Sequence, residues 1–299
     1  MQNDNEPKVK GSWPLTQWSG DRLLFHIPKS NPPQYAPDER LEALWRTGQR
    51  KNAMKPYYEA NGITIYHGDC LTVLPQLAEQ AALLWTDPAY EIESGGNSSG
   101  RMMGGIFDPA VYDNGGELFP TVPFAEWVPL AYAALRTDAD SFVMTNDKNL
   151  EECLAQLRIV GMGLHNVLLW SKQNKTPNRW GMKSVEFICY NWKGRARVLN
   201  DCGMGQVFYD RNPTGDKRHT TEKPVSLIYK HITNTTDPGD LVLDPFMGSG
   251  STLVAAKRAG RRAIGIEVNE QMCQDAALWL DSVPADQQHE QSLMFQEAA

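Results

Sequence analysis

Two short stretches of the chain carry residues that could do chemistry. The first is Leu83-Leu84-Trp85-Thr86-Asp87-Pro88-Ala89-Tyr90, an apolar run that ends in a carboxylate, a proline and an aromatic ring. Such a set suits a planar ring bearing an amino group: Asp87 and the Pro88 carbonyl can accept its two N–H bonds while Tyr90 stacks on its face. Taken alone, the same tetrapeptide also has the composition of an ordinary turn. The second stretch, Leu241-Val242-Leu243-Asp244-Pro245-Phe246-Met247-Gly248-Ser249-Gly250-Ser251-Thr252, is an apolar run that turns through glycines toward a helix. Glycines there permit positive φ and a close backbone approach to a ligand, and the helix start offers unpaired N–H groups. The turn lacks the Gly-Lys-Ser/Thr of a P-loop, so no lysine reaches a nucleotide's phosphates and an ATPase is excluded. Glu267 follows Gly248 by 19 residues. In nucleotide-binding α/β units an acid about 20 residues downstream accepts hydrogen bonds from ribose hydroxyls, which indicates an adenosine-containing ligand. The third spaced glycine of the dinucleotide fingerprint is missing, which argues against NAD.

These residues need strands to position them. From about Lys55, β-branched or apolar runs predict strands at Ile63–Tyr66, Ala82–Thr86, Ser141–Thr145, Val167–Ser171, Val185–Tyr190, Leu241–Asp244 and Ala263–Glu267. Amphipathic spacing predicts helices at 123–136, 149–159, 224–233, 250–259 and 269–281. The alternation implies a doubly wound, mostly parallel sheet of Rossmann-like α/β type, whose ligands bind beyond the carboxyl ends of the strands. Two stretches break it: 91–122, rich in Gly and Asn, and 194–222, rich in Arg and Gly. Both read as insertions. Residues 1–53 form an N-terminal extension with a helix opening at Asp38, 54–285 the catalytic domain, and 286–299 a tail.

At 299 residues, 41% hydrophobic and 22% charged, the chain can bury one full core. No apolar run approaches the roughly 20 residues of a membrane span, and the start Met1–Glu6 has no signal-peptide pattern, so a cytoplasmic location is expected. Five separated cysteines without a C-x-x-C pair and six scattered histidines give no case for a metal. The net charge of −7 opposes a polyanionic partner at long range. Residues 172–231, however, hold 12 Lys and Arg against 5 Asp and Glu. Such a block is either a solvated face or a nucleic-acid contact.

Taken in order, the stretches resemble the beta class of DNA amino-methyltransferases, in which an Asp-Pro-Pro-Tyr pocket precedes a Phe-x-Gly-x-Gly cofactor turn. His67-Gly68-Asp69-Cys70 is similar to that class's Gly-Asp segment, and His219-Thr220-Thr221-Glu222-Lys223-Pro224 to its His-Pro-Thr-Glu-Lys-Pro segment near the methionine part of the cofactor. Ala89 and Thr220 replace family prolines. The resemblance spans about 55–281 and implies S-adenosylmethionine as cofactor, held by Asp69, Cys70, Lys223, Asp244, Phe246, Gly248, Gly250, Thr252 and Glu267. It implies a flipped-out base held by Asp87, Pro88 and Tyr90. The family's target-recognition segment lies between the two motifs, which assigns Lys172, Lys175, Arg179, Lys183, Arg195, Arg197, Arg211, Lys217 and Arg218 to double-stranded DNA. The implied activity is site-specific methylation of adenine N6, as in bacterial or phage restriction-modification, and many members form homodimers. Cytosine N4 is the nearest alternative, although members of that kind more often carry Ser for the Asp. RNA or protein-glutamine methyltransferases usually place their motif after the glycine loop. A DNA-binding regulator with weak catalysis has only Ala89 in its support.

Overall fold

The structure is a computed structural model that describes residues 54–89, 121–176, 181, 183–211 and 222–284. Among the described residues, nine strands form one sheet: β1 (Tyr58–Ala60), β2 (Ile63–His67), β3 (Ala81–Thr86), β4 (Leu135–Thr145), β5 (Gly163–Thr176), β6 (Lys183–Lys193), β7 (Val207–Phe208), β8 (Leu241–Asp244) and β9 (Arg262–Glu267). They lie in the order β1-β2-β9-β8-β3-β4-β6-β5-β7. Strands β2, β9, β8, β3 and β4 run parallel, whereas β1 and β6 are antiparallel to their neighbours. The helices are α1 (Cys70–Val73), α2 (Phe124–Ala133), α3 (Leu150–Ile159), α4 (Val225–Thr235), α5 (Ser251–Arg258) and α6 (Glu270–Ser282).

Both faces of the sheet are covered, which is why its central strands are continuous apolar runs instead of alternating ones. Leu83 and Trp85 enter one core with Phe142, Val242 and the α4, α5 and α6 side chains; Leu84 enters the other with Val143, Leu243 and the α1, α2 and α3 side chains. Each large side chain buried in this way contributes about 1.5–3 kcal/mol. The result is a three-layer sandwich of the expected Rossmann-like class.

All seven expected strands and all five expected helices are present. The added elements are short: β1, β7 and α1. Strand β4 is longer than expected, starting at Leu135 and passing through Arg136, Asp138 and Asp140, whose polarity masks a strand. Parallel pairing is broken at β1 and again after β4, where β5 and β6 form an antiparallel ribbon. The extension 1–53, with the helix expected from Asp38, the tail 286–299 and all but the last two residues of 91–122 lie outside the described residues.

Candidate active site

The strands β2, β9, β8 and β3 finish at one end of the sheet, here the carboxyl end, and each finishes at or next to an acid: Asp69, Glu267, Asp244 and Asp87. Neighbouring strands stand about 4.8 Å apart, so β9 to β3 spans roughly 10 Å.

The glycine turn follows β8. Asp244 accepts hydrogen bonds from Thr86 Oγ1 at 2.8 Å and from the Phe246 amide at 3.1 Å. Burial pushes its carboxyl up to about 7, against the Thr252 and Thr86 hydroxyls and the Phe246 amide, and the nearby Asp87 charge adds to the rise. Gly248 and Gly250 take φ of +51° and +90°, and Gly250 caps α5. A Cβ on Gly250 would stand 3.0 Å from the Ala276 Cβ. The turn also lies flat on β9, because a Cβ on Gly265 would come within 2.5 Å of Met247 Sδ. Phe246 packs edge-on to Trp127 at 5.2 Å between ring centres.

Glu267 closes the turn from the side. Its carboxylate accepts from the Gly248 amide at 3.1 Å and the Asn269 amide at 2.8 Å, and burial holds it above the usual carboxylate range. One lone pair on each oxygen remains for hydroxyl donors. A Cβ built on Gly248 meets nothing within 4 Å, so the outer side of the turn is open. This open backbone beside an acceptor-rich carboxylate fits the ribose diol of an adenosine. The Gly68 amide donates to the Glu267 carbonyl at 2.9 Å, which draws Asp69 to the same place. Asp69 caps α1 by accepting from the Leu71 amide, and the Cys70 thiol is buried and pushed to about 12, mainly by that burial. The Cys70 side chain is therefore packed in the core.

Asp87 follows β3, with Pro88 buried beside it. Lys223 Nζ lies 2.6 Å from Asp87 Oδ2 and 3.4 Å from Glu186 Oε2, while Lys172 Nζ lies 2.6 Å from Glu186 Oε1. All four side chains are less than a quarter exposed. Burial raises the Asp87 carboxyl, Lys223 opposes that, and Glu186 adds to it. At Glu186 burial also pushes upward, but Lys223 and Lys172 outweigh it and the carboxyl stays below its ordinary range. Lys223 stands just before Pro224, the cap of α4. Helix α4 is pinned beneath β3 by His231, whose Nδ1 accepts from Trp85 Nε1 at 3.1 Å. Burial lowers His231 to about 3, so the ring stays neutral. That bond fixes the lysine's helix against the strand that carries Asp87.

Residues 200–278 match the DNA methylase family. The chain is 29% identical over 240 residues to the type II methyltransferase M2.DpnII of Streptococcus pneumoniae, covering 73% of this chain and 89% of that one. Among solved structures, M1.HpyAVI in its SAM complex superposes with a TM-score of 0.56 at 24% identity, over 73% of this chain and 98% of that one. PvuII DNA methyltransferase, cytosine-N4-specific, gives 0.60 at 18%, over 76% and 89%.

These matches show a DNA methyltransferase. As a DNA methylase of the amino-methylating kind, it transfers a methyl group from S-adenosylmethionine to an exocyclic amine of DNA. Among the described residues, no helix is long and apolar enough to cross a membrane.

The methylase distributes its basic block unevenly. Lys172, expected on DNA, points inward to Glu186. Lys223, expected at the methionine part of the cofactor, sits on Asp87. Lys183 pairs with Asp147 at 2.7 Å. Arg195 and Arg197 lie beyond the far end of β6, and the strand from Phe187 to Lys193 alone spans about 20 Å at 3.4 Å per residue. There they pair with Asp138 at 2.8 Å and Asp237 at 3.0 Å. The structure does not bring these two arginines to the carboxyl end. Arg211 is exposed and follows β7, whose Phe208 is level with Trp170 and so with Glu186. Tyr90, Arg179, Lys217, Arg218 and the side chain of Lys175 lie outside the described residues. Sequence reasoning missed Glu186, Thr86 and Gly265. Glu186 had a signal: it is the single acid between Lys172 and Asn200.

Proposed function

We propose that this methylase acts on the N6 amine of adenine, flipped out of duplex DNA, with Asp87 and the Pro88 carbonyl as acceptors of its two N–H bonds. The observation that carries the choice of base is the acid itself: Asp87, a carboxylate and not a hydroxyl, directly follows β3. The shared fold does not choose, since a cytosine-N4-specific enzyme has it too.

An exocyclic amine is a weak nucleophile because its lone pair is delocalised into the ring. Two acceptors on its N–H bonds draw the nitrogen toward tetrahedral geometry and free the lone pair for attack. As the new N–C bond forms, nitrogen gives up one proton, and Asp87 is placed to take it. Asp69, Asp244, Phe246, Gly248, Gly250, Thr252 and Glu267 are the residues proposed to line the cofactor site. S-adenosylmethionine supplies there an electrophilic methyl on a sulfur that departs as a neutral thioether. Tyr90 is proposed to stack on the extruded base. The described residues that flank the basic segment, Arg211 before it and Glu222 and Lys223 after it, stand at the carboxyl end, which supports its reading as the DNA-facing recognition segment. A homodimer acting in the bacterial cytoplasm completes the reading on family resemblance, and sedimentation of the purified protein tests the pairing.

Incubation with labelled S-adenosylmethionine and unmethylated DNA, followed by nucleoside mass spectrometry, tests the activity. N6-methyldeoxyadenosine is expected. N4-methyldeoxycytidine would overturn the choice of base, and no methylated nucleoside at all would favour the regulator.

A further inference from the structure

The short contact between Lys223 and Asp87 poses a problem for any amine donor. At 2.6 Å the ammonium holds Asp87 Oδ2, one of the two carboxylate oxygens that the target amine can use. Removing the lysine altogether would not help, because a buried carboxylate stripped of its counter-ion takes up a proton and stops accepting. Oδ2 accepts a new donor best when the lysine loosens its hold yet stays near.

Glu186 offers the place. Its Oε1 is held by Lys172 at 2.6 Å. Its Oε2 is buried, faces Lys223 at 3.4 Å, and makes no hydrogen bond of good geometry. A shift of the ammonium by about 0.6 Å would convert that contact into a charge-assisted hydrogen bond of about 2.8 Å and lengthen its contact with Asp87 by up to the same amount, which weakens its hold on Oδ2. We propose that Glu186 is a positioning residue for methyl transfer: it draws Lys223 off Asp87 as the target amine arrives, so that Asp87 exchanges partners while keeping a cation beside it. This rests on the reading of Asp87 as the amine's acceptor. Lys172 then anchors Glu186 and does not reach phosphate.

The charged groups facing Asp87 come from four elements: Lys223 before α4, Glu186 on β6, Lys172 on β5 and Asp244 on β8. Lys223 lowers the Asp87 pKa and Glu186 raises it. Removing the lysine should therefore move the acid limb of the rate profile to higher pH, and neutralising Glu186 should move it to lower pH. A purely structural role gives no such opposition.

The test is single-turnover methyl transfer from pH 5.5 to 9, with saturating S-adenosylmethionine and PCR-amplified genomic DNA, which carries no methyl marks. It compares the wild type with Glu186→Gln, Lys223→Met, the double variant and Asp87→Asn. Glu186→Gln should slow transfer at least tenfold at pH 8 while cofactor affinity stays within twofold. The double variant should be no slower than Lys223→Met, because with no lysine there is nothing to withdraw. Wild-type transfer by Glu186→Gln, or losses that multiply in the double variant, would overturn the proposal. Should Glu186→Gln fail to fold, Lys223→Met decides through its acid limb, and a limb that does not rise overturns the proposal equally. Asp87→Asn separates the two layers. Unimpaired transfer there removes the reading beneath, whereas a dead Asp87→Asn beside an unimpaired Glu186→Gln removes only the role of Glu186.

Discussion

The two ends of the sheet use the same residue types in different ways. At the amino end, arginines meet acids one to one: Arg136 with Asp240, Arg262 with Glu79, Arg195 with Asp138 and Arg197 with Asp237. Most of these side chains are substantially exposed, and solvent and salt weaken each pair. At the carboxyl end, Asp87, Glu186, Asp244 and Glu267 are more buried, and among the described residues only Lys172 and Lys223 form ion pairs with them, through Asp87 and Glu186. Asp244 and Glu267 depend on hydroxyls and backbone amides instead. Burying charge in this way opposes folding, and donors brought by a ligand offset the cost. Charge alone therefore does not mark the working end of this sheet. Burial of the charge does.

The sharpest way to break that contrast is Asp87→Ala. It should lower methyl transfer by roughly a thousandfold, within the range for a positioned proton acceptor, while S-adenosylmethionine affinity by calorimetry changes less than about threefold. Loss of both together would put Asp87 in the cofactor site. Next is Gly250→Val, which places a branched side chain where φ is +90° and Ala276 stands 3.0 Å away. Cofactor affinity should weaken at least tenfold, about 1.4 kcal/mol; an unchanged affinity would separate the glycine turn from the ligand.

Asp244 sharpens the comparison through pH. Its folded pKa is raised from 3.8 to about 7. The group thus favours folding while it is protonated, and that contribution is lost as pH rises through about 7. Between pH 5.5 and 8 the wild type should lose about 2 kcal/mol relative to Asp244→Asn in urea melts. Parallel curves would show that Asp244 titrates normally. The smallest effect is expected at the amino end. Arg195→Ala combined with Arg197→Ala should leave the slope of log affinity against log salt unchanged; a slope flatter by about 1.8 would bring DNA to that end after all.

Legibility in the sequence followed the same division. Leu241–Asp244 and Ala263–Glu267 were readable because both faces are buried, so their apolar runs stop abruptly at turn residues and leave their terminal acids conspicuous. The first half of β4 was not, since Arg136, Asp138 and Asp140 answer to neighbours far along the chain. Strand direction in the β5–β6 ribbon was hidden as well, because alternation along a strand carries no sign of which way its partner runs. Lys172 and Lys223 show the limit at the site. Composition counts a lysine as basic whether it faces solvent or a buried glutamate, and only packing tells these apart.

The strand order has a consequence for how the chain comes into being. Of the described strands, β8 and β9 are made last, yet they lie between β2 and β3, which are among the first three made. During synthesis the early strands have no central partners until the final quarter of the chain emerges, so the sheet closes late and its open edges must wait. A chain cut after Thr235 would lose the middle of its sheet, and truncation from that side should leave an aggregating remnant in place of a smaller folded protein.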